Sequence, residues 1–179
     1  MRQQWAHLSS SRLDRKKSQN HQGRIRLVDT MTDITVRPMN KNDISQAAEI
    51  HRKVIREGLG PSMKYAIEDL FMSFIKKSPK TCIVAEKDNK VAGFIVGCIK
   101  EWGFGVERSG WIEMIEVDPQ HMGKGIGKTL GEALIRYFKG EGIKEVYTTV
   151  QWDSGDLIAF FKSIGFDKSG FINLEYKSK

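Results

Sequence analysis

The chain has 179 residues, 40% hydrophobic and 28% charged, a length and balance that suit one folded domain with its own core. No run approaches the roughly 18 consecutive apolar residues of a membrane span, and the first residues lack the apolar centre of a secretory signal. The net charge of +7 is lopsided: seven basic side chains against Asp14 and Asp29 leave residues 1–31 at +5 and the remainder at only +2. A nearly neutral body with a basic tail argues against a nucleic-acid-binding face, which concentrates charge on folded structure.

Residues 1–32 show no sustained apolar period and are rich in Ser, Gln, Arg and Lys, which predicts a disordered basic extension ahead of a domain at 33–179. Met31-Thr32-Asp33 directly precedes the first strand signal, so Met31 is the expected biological start. Ile34-Thr35-Val36 alternates apolar and polar before Pro38 ends it, the pattern of a strand. Asp43, with Gln46 three residues on, reads as the N-cap of a helix whose apolar face is Ile44, Ala47, Ala48, Val54 and Ile55. Gly58, Gly60 and Pro61 break it, and a second helix from about 64 to 76 turns Ile67, Leu70, Phe71, Phe74 and Ile75 inward.

Residues 81–85 and 91–100 form a hairpin about Asp88-Asn89. Trp102-Gly103-Phe104-Gly105 reads as a loop and 111–117 as the fourth strand, closed by Asp118-Pro119. After a glycine-rich turn, Ile126, Leu130, Ala133, Leu134, Tyr137 and Phe138 recur at helical spacing until Gly140 and Gly142. A fifth strand at 146–152, a short helix at 157–164 stopped by Gly165, and a last strand at about 171–176 complete the order. Cys82 and Cys98 lie in apolar strand-like runs without zinc-type spacing; they are expected reduced, in a cytoplasmic protein with no metal.

This order places the chain in the α/β class: a single central mixed β-sheet of about six strands flanked by about four helices. The chemistry concentrates where Glu113-Met114-Ile115-Glu116-Val117-Asp118-Pro119 runs into Gln120-His121-Met122-Gly123-Lys124-Gly125-Ile126-Gly127-Lys128. A strand feeds a glycine-rich turn, which opens a helix whose first N–H groups have no carbonyl partners. Missing side chains let a diphosphate approach those donors, and the helix dipole favours its charge. Lys124 and Lys128 add positive potential. A Walker loop requires four residues between its glycines, and Gly123 and Gly127 enclose three. A dinucleotide fold would place its glycine turn after the first strand, whereas this turn follows the fourth.

Val117-Asp118-Pro119 followed by Met122-Gly123-Lys124-Gly125-Ile126-Gly127 resembles the [Arg/Gln]-x-x-Gly-x-[Gly/Ala] motif that GCN5-related N-acetyltransferases carry after a strand ending in Val-x-Pro. The resemblance covers about 34–176 and includes Phe160-Phe161-x-x-x-Gly165-Phe166. It implies acetyl-CoA as co-substrate, its diphosphate on the backbone amides of Gly123, Lys124, Gly125, Ile126, Gly127 and Lys128. It also implies that strands four and five splay apart, so that the pantetheine arm runs along Ile115, Glu116 and Val117, pairing with Ile115 and Val117. The Val117 amide would then polarise the thioester carbonyl. Three positions depart from the family pattern. Met122 replaces Arg or Gln, Ser154 stands where many members carry an Asn that contacts the coenzyme, and Phe161 stands where many carry a Tyr that protonates the leaving thiolate. A thiol's reference pKa near 8.5 makes its thiolate a tolerable leaving group, so loss of that acid costs about 10²-fold rather than everything.

An alkyl amine is protonated at neutral pH and attacks only after losing a proton. Glu113, four residues before Val117, matches the base position of the polyamine-type members that this chain resembles. Glu116 and Asp153 are the alternatives, and each carboxylate also reads as an ordinary strand or cap residue. His51 and His121 read as surface residues; Trp102, Phe104 and Trp111 read as an acceptor wall or as core. The expected activity is N-acetyl transfer from acetyl-CoA to a primary amine by direct attack in a ternary complex. A CoA-binding sensor or interaction module with little turnover is the alternative, motivated by Ser154 and Phe161. The acceptor is a small-molecule or protein amine held by loops near 56–66 and 101–110, whose composition carries no code. Neither specific nucleic acid nor membrane is expected as a partner, and a homodimer is compatible with the sequence.

Overall fold

The structure is a computed structural model that describes residues 34–55, 61–103 and 105–178; the expectations for 1–32 and for a start at Met31 lie outside these. The elements run β1 (Ile34–Pro38), α1 (Ile44–Val54), α2 (Pro61–Lys77), β2 (Cys82–Lys87), β3 (Lys90–Gly103), β4 (Val106–Val117), α3 (Ile126–Gly140), β5 (Val146–Thr148) and α4 (Gly155–Ser163). The sheet order follows the chain, β1-β2-β3-β4-β5. The first four strands are antiparallel to their neighbours, and α3 carries the chain over so that β5 joins β4 in parallel.

Local chemistry sets the connections. Asp88 and Asn89 both take positive φ, 51° and 60°, the left-handed pair that a two-residue β-hairpin requires. The chain enters α1 through a 3-10 turn at Lys41–Asp43, where the Asn40 side chain accepts the Asn42 N–H and the Asp43 carboxylate accepts the Asn40 N–H, both at 2.8 Å. Asp43 therefore caps this upstream turn, with two bonds from Arg37 at 2.7 and 2.8 Å, and gives α1 no side-chain cap. Gln46, expected to complete that cap, accepts the Val91 N–H at 3.0 Å and ties α1 to β3 instead. α1 ends before Pro61, and α2 starts at Pro61 rather than near residue 64, since a first helical position has no hydrogen bond to lose.

The period-two alternation of the strands feeds two cores. Cys82, Val84, Phe94 and Val96 meet α1 and α2 through Ile44, Ala47, Ala48, Ile67 and Phe71. On the other face Ile83, Ala85, Ile95 and Ile112 meet α3 and α4 through Ile126, Leu130, Leu134, Phe138 and Phe161. The α3 helix sits so close that a Cβ on Gly110 would lie 2.8 Å from the Phe138 ring.

Two strand expectations are corrected. The fifth strand stops at Thr148 rather than Trp152, and Trp152 stands 89% exposed. The segment 171–176 forms no strand, so the sheet has five. Phe171 packs its ring on Tyr147, 6.2 Å between centroids, but Ile172, Leu174 and Tyr176 remain exposed. A three-residue β5 offers too short a ladder to fix a further strand, whatever its alternation. The loop expected at 102–105 shrinks to a hairpin tip, with Gly103 opposite Val106. Among the described residues, no helix is long and apolar enough to cross a membrane.

Candidate active site

The site begins where β4 loses one neighbour. β4 pairs with β5 only at Gly110, Trp111 and Ile112, and the Thr148 hydroxyl closes that contact by donating to the Ile112 carbonyl at 3.1 Å. Against β3 the pairing continues to Val117, with a bulge that makes Glu113 the extra residue between Ile112 and Met114. The Asp118 N–H donates to the Ala92 carbonyl at 2.9 Å. Peptide groups alternate along an antiparallel ladder, so those of Glu116 face β3, while those of Ile115 and Val117 face the gap that β5 has left. The peptide groups of Ile115 and Val117, expected to pair with the pantetheine arm, are therefore without a β5 partner. Glu116, expected beside them as a coenzyme contact, has its main chain committed to β3.

The gap runs into the glycine turn. Asp118 accepts the Gln120 N–H at 2.9 Å and caps a 3-10 turn at Pro119–His121. Gly123 and Gly125 follow at φ 76° and 79°, and a Cβ on either would meet nothing within 4 Å. The first main-chain bond of the helix is Thr129 N–H to the Gly125 carbonyl at 3.0 Å; among the described bonds, no N–H from Met122 to Lys128 has an acceptor. Consecutive donors at the positive end of a 15-residue helix form an anion cradle, open because two left-handed glycines leave it unshielded. Lys124 folds back to the Gln120 carbonyl at 2.9 Å, within 3.4 Å of His121 Nδ1, and Lys128 lies 3.9 Å from Glu132.

From α4, Phe160 approaches the turn: a Cβ on Gly127 would stand 3.2 Å from its ring and 3.7 Å from Val117. Phe161, the expected contact, is only 4% exposed and packs between Phe160 and Phe166, so it belongs to the core. Ser154 precedes α4 as its N-cap, without a side-chain cap bond. Asp153, weighed as a cap or base, is exposed, and its carbonyl accepts the Gly155 N–H at 3.0 Å.

On the α1 face, Glu113 sits 3.2 Å from Lys100 Nζ and accepts the Cys98 thiol at 3.3 Å. Burial, then Glu113, pushes that thiol up to about 11, so it stays protonated and is a poor nucleophile. Lys100 Nζ lies 3.8 Å from the centroid of the Trp111 ring, which Tyr147 adjoins at 5.4 Å. Trp111 is half-buried between them. Trp102 is at the hairpin tip, 78% exposed, and Phe104 lies outside the described residues.

Sequence reasoning missed a buried polar pair. His51 Nδ1 lies 2.8 Å from Glu116 Oε1, with side chains 12% and 10% exposed. Burial raises the Glu116 carboxyl above its ordinary range, against the opposing pull of His51, and Glu116 Oε2 is buried without a hydrogen-bond partner among the described residues. Two residues further along both elements, Lys53 donates to Asp118 at 2.8 Å. Burial pushes the Asp118 carboxyl up, but Lys53 and the Gln120 N–H outweigh it and hold the group below its usual value. A signal for His51 existed: Ile44, Ala47, Ala48 and His51 are spaced 0, 3, 4 and 7 along the buried stripe of α1.

Residues 45–166 match the model of the acetyltransferase (GNAT) family. The chain belongs to the GNAT family. An uncharacterised N-acetyltransferase of Methanocaldococcus jannaschii is 29% identical over 138 residues, 75% of this chain and 61% of that protein. Mycothiol acetyltransferase of Amycolatopsis mediterranei is 31% identical over 88 residues, 48% of this chain and 29% of that protein. The aligned part is thus about three fifths of the archaeal relative and under a third of the mycothiol enzyme. An aminoglycoside N-acetyltransferase solved with CoA superposes with a TM-score of 0.69 at 17% identity, covering 84% of this chain and 99% of its own, a likeness of fold.

Proposed function

We propose that the chain is an N-acetyltransferase moving the acetyl group of acetyl-CoA onto a primary amine by direct attack in a ternary complex. The observation that carries this is the outward-facing edge of β4 at Ile115 and Val117, followed through the 3-10 turn at Pro119–His121 by the N–H-lined turn at 122–128. An extended arm with amides and a diphosphate at its end fits such a path, the arm completing the ladder that β5 abandons and the diphosphate meeting Gly123, Lys124, Gly125, Ile126, Gly127 and Lys128. The basic side chains of Lys124 and Lys128 raise the local potential, and Ser154 faces the coenzyme from the start of α4.

The thioester carbonyl then accepts the Val117 N–H, a donor whose removal in comparable sites costs about 3 kcal/mol. Glu113 takes the proton from the acceptor ammonium, which enters on the face of Trp111 and Lys100. The free amine attacks the carbonyl, the C–N bond forms, and the C–S bond breaks with its electron pair on sulfur. Cys98, held protonated, leaves no reason for a covalent acyl-enzyme. The acceptor is a small-molecule or protein amine. The competing reading, a CoA-binding module with little turnover, draws on Phe161, which is buried in the core and has no proton to give.

A thiol-release assay over a panel of amines, run with wild type and Glu113→Gln, separates them. The transferase reading expects acceptor-dependent thiol release, falling about 10²-fold in Glu113→Gln. Acetyl-CoA binding with no thiol release for any amine favours the binding module, and an unchanged Glu113→Gln removes Glu113 as base.

A further inference from the structure

Loss of the acetyl group leaves a thiolate whose departure a proton donor speeds, and neither Phe161 nor Cys98 is placed to supply the proton: one has none and the other is engaged with Glu113. Resting on the transferase reading above, we infer that Glu116, steadied by His51, is the general acid that protonates the departing thiolate. Three observations carry this. Glu116 directly precedes Val117, so the peptide bearing the proposed oxyanion donor is the one that Glu116 begins. Its Oε1 is bonded to His51 Nδ1 at 2.8 Å, which fixes the carboxyl and leaves one oxygen to act. That second oxygen, Oε2, is buried without a partner among the described residues, on a side chain nine-tenths buried, a costly arrangement for an anion and a mild one for a neutral carboxyl.

Burial keeps the proton on Glu116 to higher pH than on an exposed glutamate, which suits a donor working near neutrality. Other charged groups facing this patch are Lys53 of α1 and Asp118 beyond β4, bonded to one another at 2.8 Å, and Glu113 further along β4, held by Lys100. The strand behind it contributes Phe94 and Val96, both apolar. Among the described residues, it is His51 that opposes burial at the Glu116 carboxyl.

The step balances. The amine nitrogen bonds to the acetyl carbon, and the C–S pair departs on sulfur, which takes the Oε2 proton to give the free thiol. The carboxylate left behind is held by the His51 N–H. The nitrogen loses two protons over the turnover: one to Glu113 and on to water, the other restoring Glu116. No oxidant or further reactant is needed.

The test is the pH profile of kcat for thiol release in wild type, Glu116→Gln and His51→Gln, with acetyl-CoA affinity measured by calorimetry and folding by thermal melt. Gln at 116 keeps an oxygen for His51 but has no proton to give. The expected result is a wild-type alkaline limb that vanishes in Glu116→Gln, with kcat down at least tenfold and acetyl-CoA affinity unchanged. His51→Gln, which removes the pull that lowers the Glu116 carboxyl, moves the limb to higher pH; this arm decides if Glu116→Gln melts early. A Glu116→Gln enzyme with wild-type kcat and limb, or a limb that stays put in His51→Gln, overturns the assignment. A wild type that binds acetyl-CoA yet turns over no amine overturns the transferase reading, and this assignment with it.

Discussion

Gly125→Ala separates the strain in the glycine turn from its ligand role. Gly125 is the N-cap of α3 at φ 79°, and a Cβ there meets no protein atom within 4 Å. The substitution therefore causes no clash in the free protein; its cost is the left-handed backbone alone, about 1–2 kcal/mol, which lowers Tm by roughly 2–8 °C for a chain of this size. The open space that makes the methyl harmless in the free protein is the space assigned to the coenzyme diphosphate. The methyl must then push the phosphates off N–H donors that they approach to hydrogen-bond distance. Losing two charge-assisted bonds at about 1.5 kcal/mol each weakens binding by about 10²-fold. Calorimetric titration with CoA reads this directly. Gly140→Ala is the control, since a Cβ there also meets nothing but its φ is not left-handed; it is expected to leave the affinity unchanged. CoA affinity in Gly125→Ala equal to wild type, in protein that melts as a single folded species, refutes the diphosphate assignment.

Other outcomes follow from the same geometry. Phe138→Ala removes a fully buried ring seated on Gly110 and is expected to cost about 3–5 kcal/mol in chemical denaturation. Asp43→Asn weakens the bonds from Arg37 and is expected to cost about 2 kcal/mol at neutral pH. Burial pushes the Asp43 carboxyl up, but Arg37 and the Asn40 N–H hold it below its ordinary value. Its contribution is therefore present above the unfolded pKa of about 3.9 and is lost as pH falls through the folded one, so the gap between wild type and variant should close in acid melts. Glu116 has the opposite sign. Its raised carboxyl favours the fold below the unfolded pKa of about 4.3, and that advantage is lost as pH rises through the folded value, so Glu116→Gln should flatten this part of the stability profile.

Most of the fold was legible because its signals are local. The alternation of Ile83 against Val84, the stripe of α3 and the Asp88-Asn89 turn each specify their own element. The turn at 122–128 was legible for the same reason, since glycine spacing after a strand is a property of one short segment. What stayed hidden depends on partners distant in sequence. Gln46 was assigned to a cap three residues away, and its partner is Val91 on another strand. His51 reads as a surface histidine until Glu116, 65 residues on, is brought beneath it. The last expected strand failed because alternation at 171–176 says nothing about whether β5 offers an edge long enough to pair with.

Amide-resolved hydrogen exchange by NMR, with and without CoA, tests the central claim most directly. The account predicts that saturating CoA slows exchange at the N–H groups of Ile115 and Val117 and along Gly123 to Lys128, and leaves Glu116, already bonded to β3, unchanged. CoA that binds while those amides exchange at their free rates, or that protects a different surface, contradicts it.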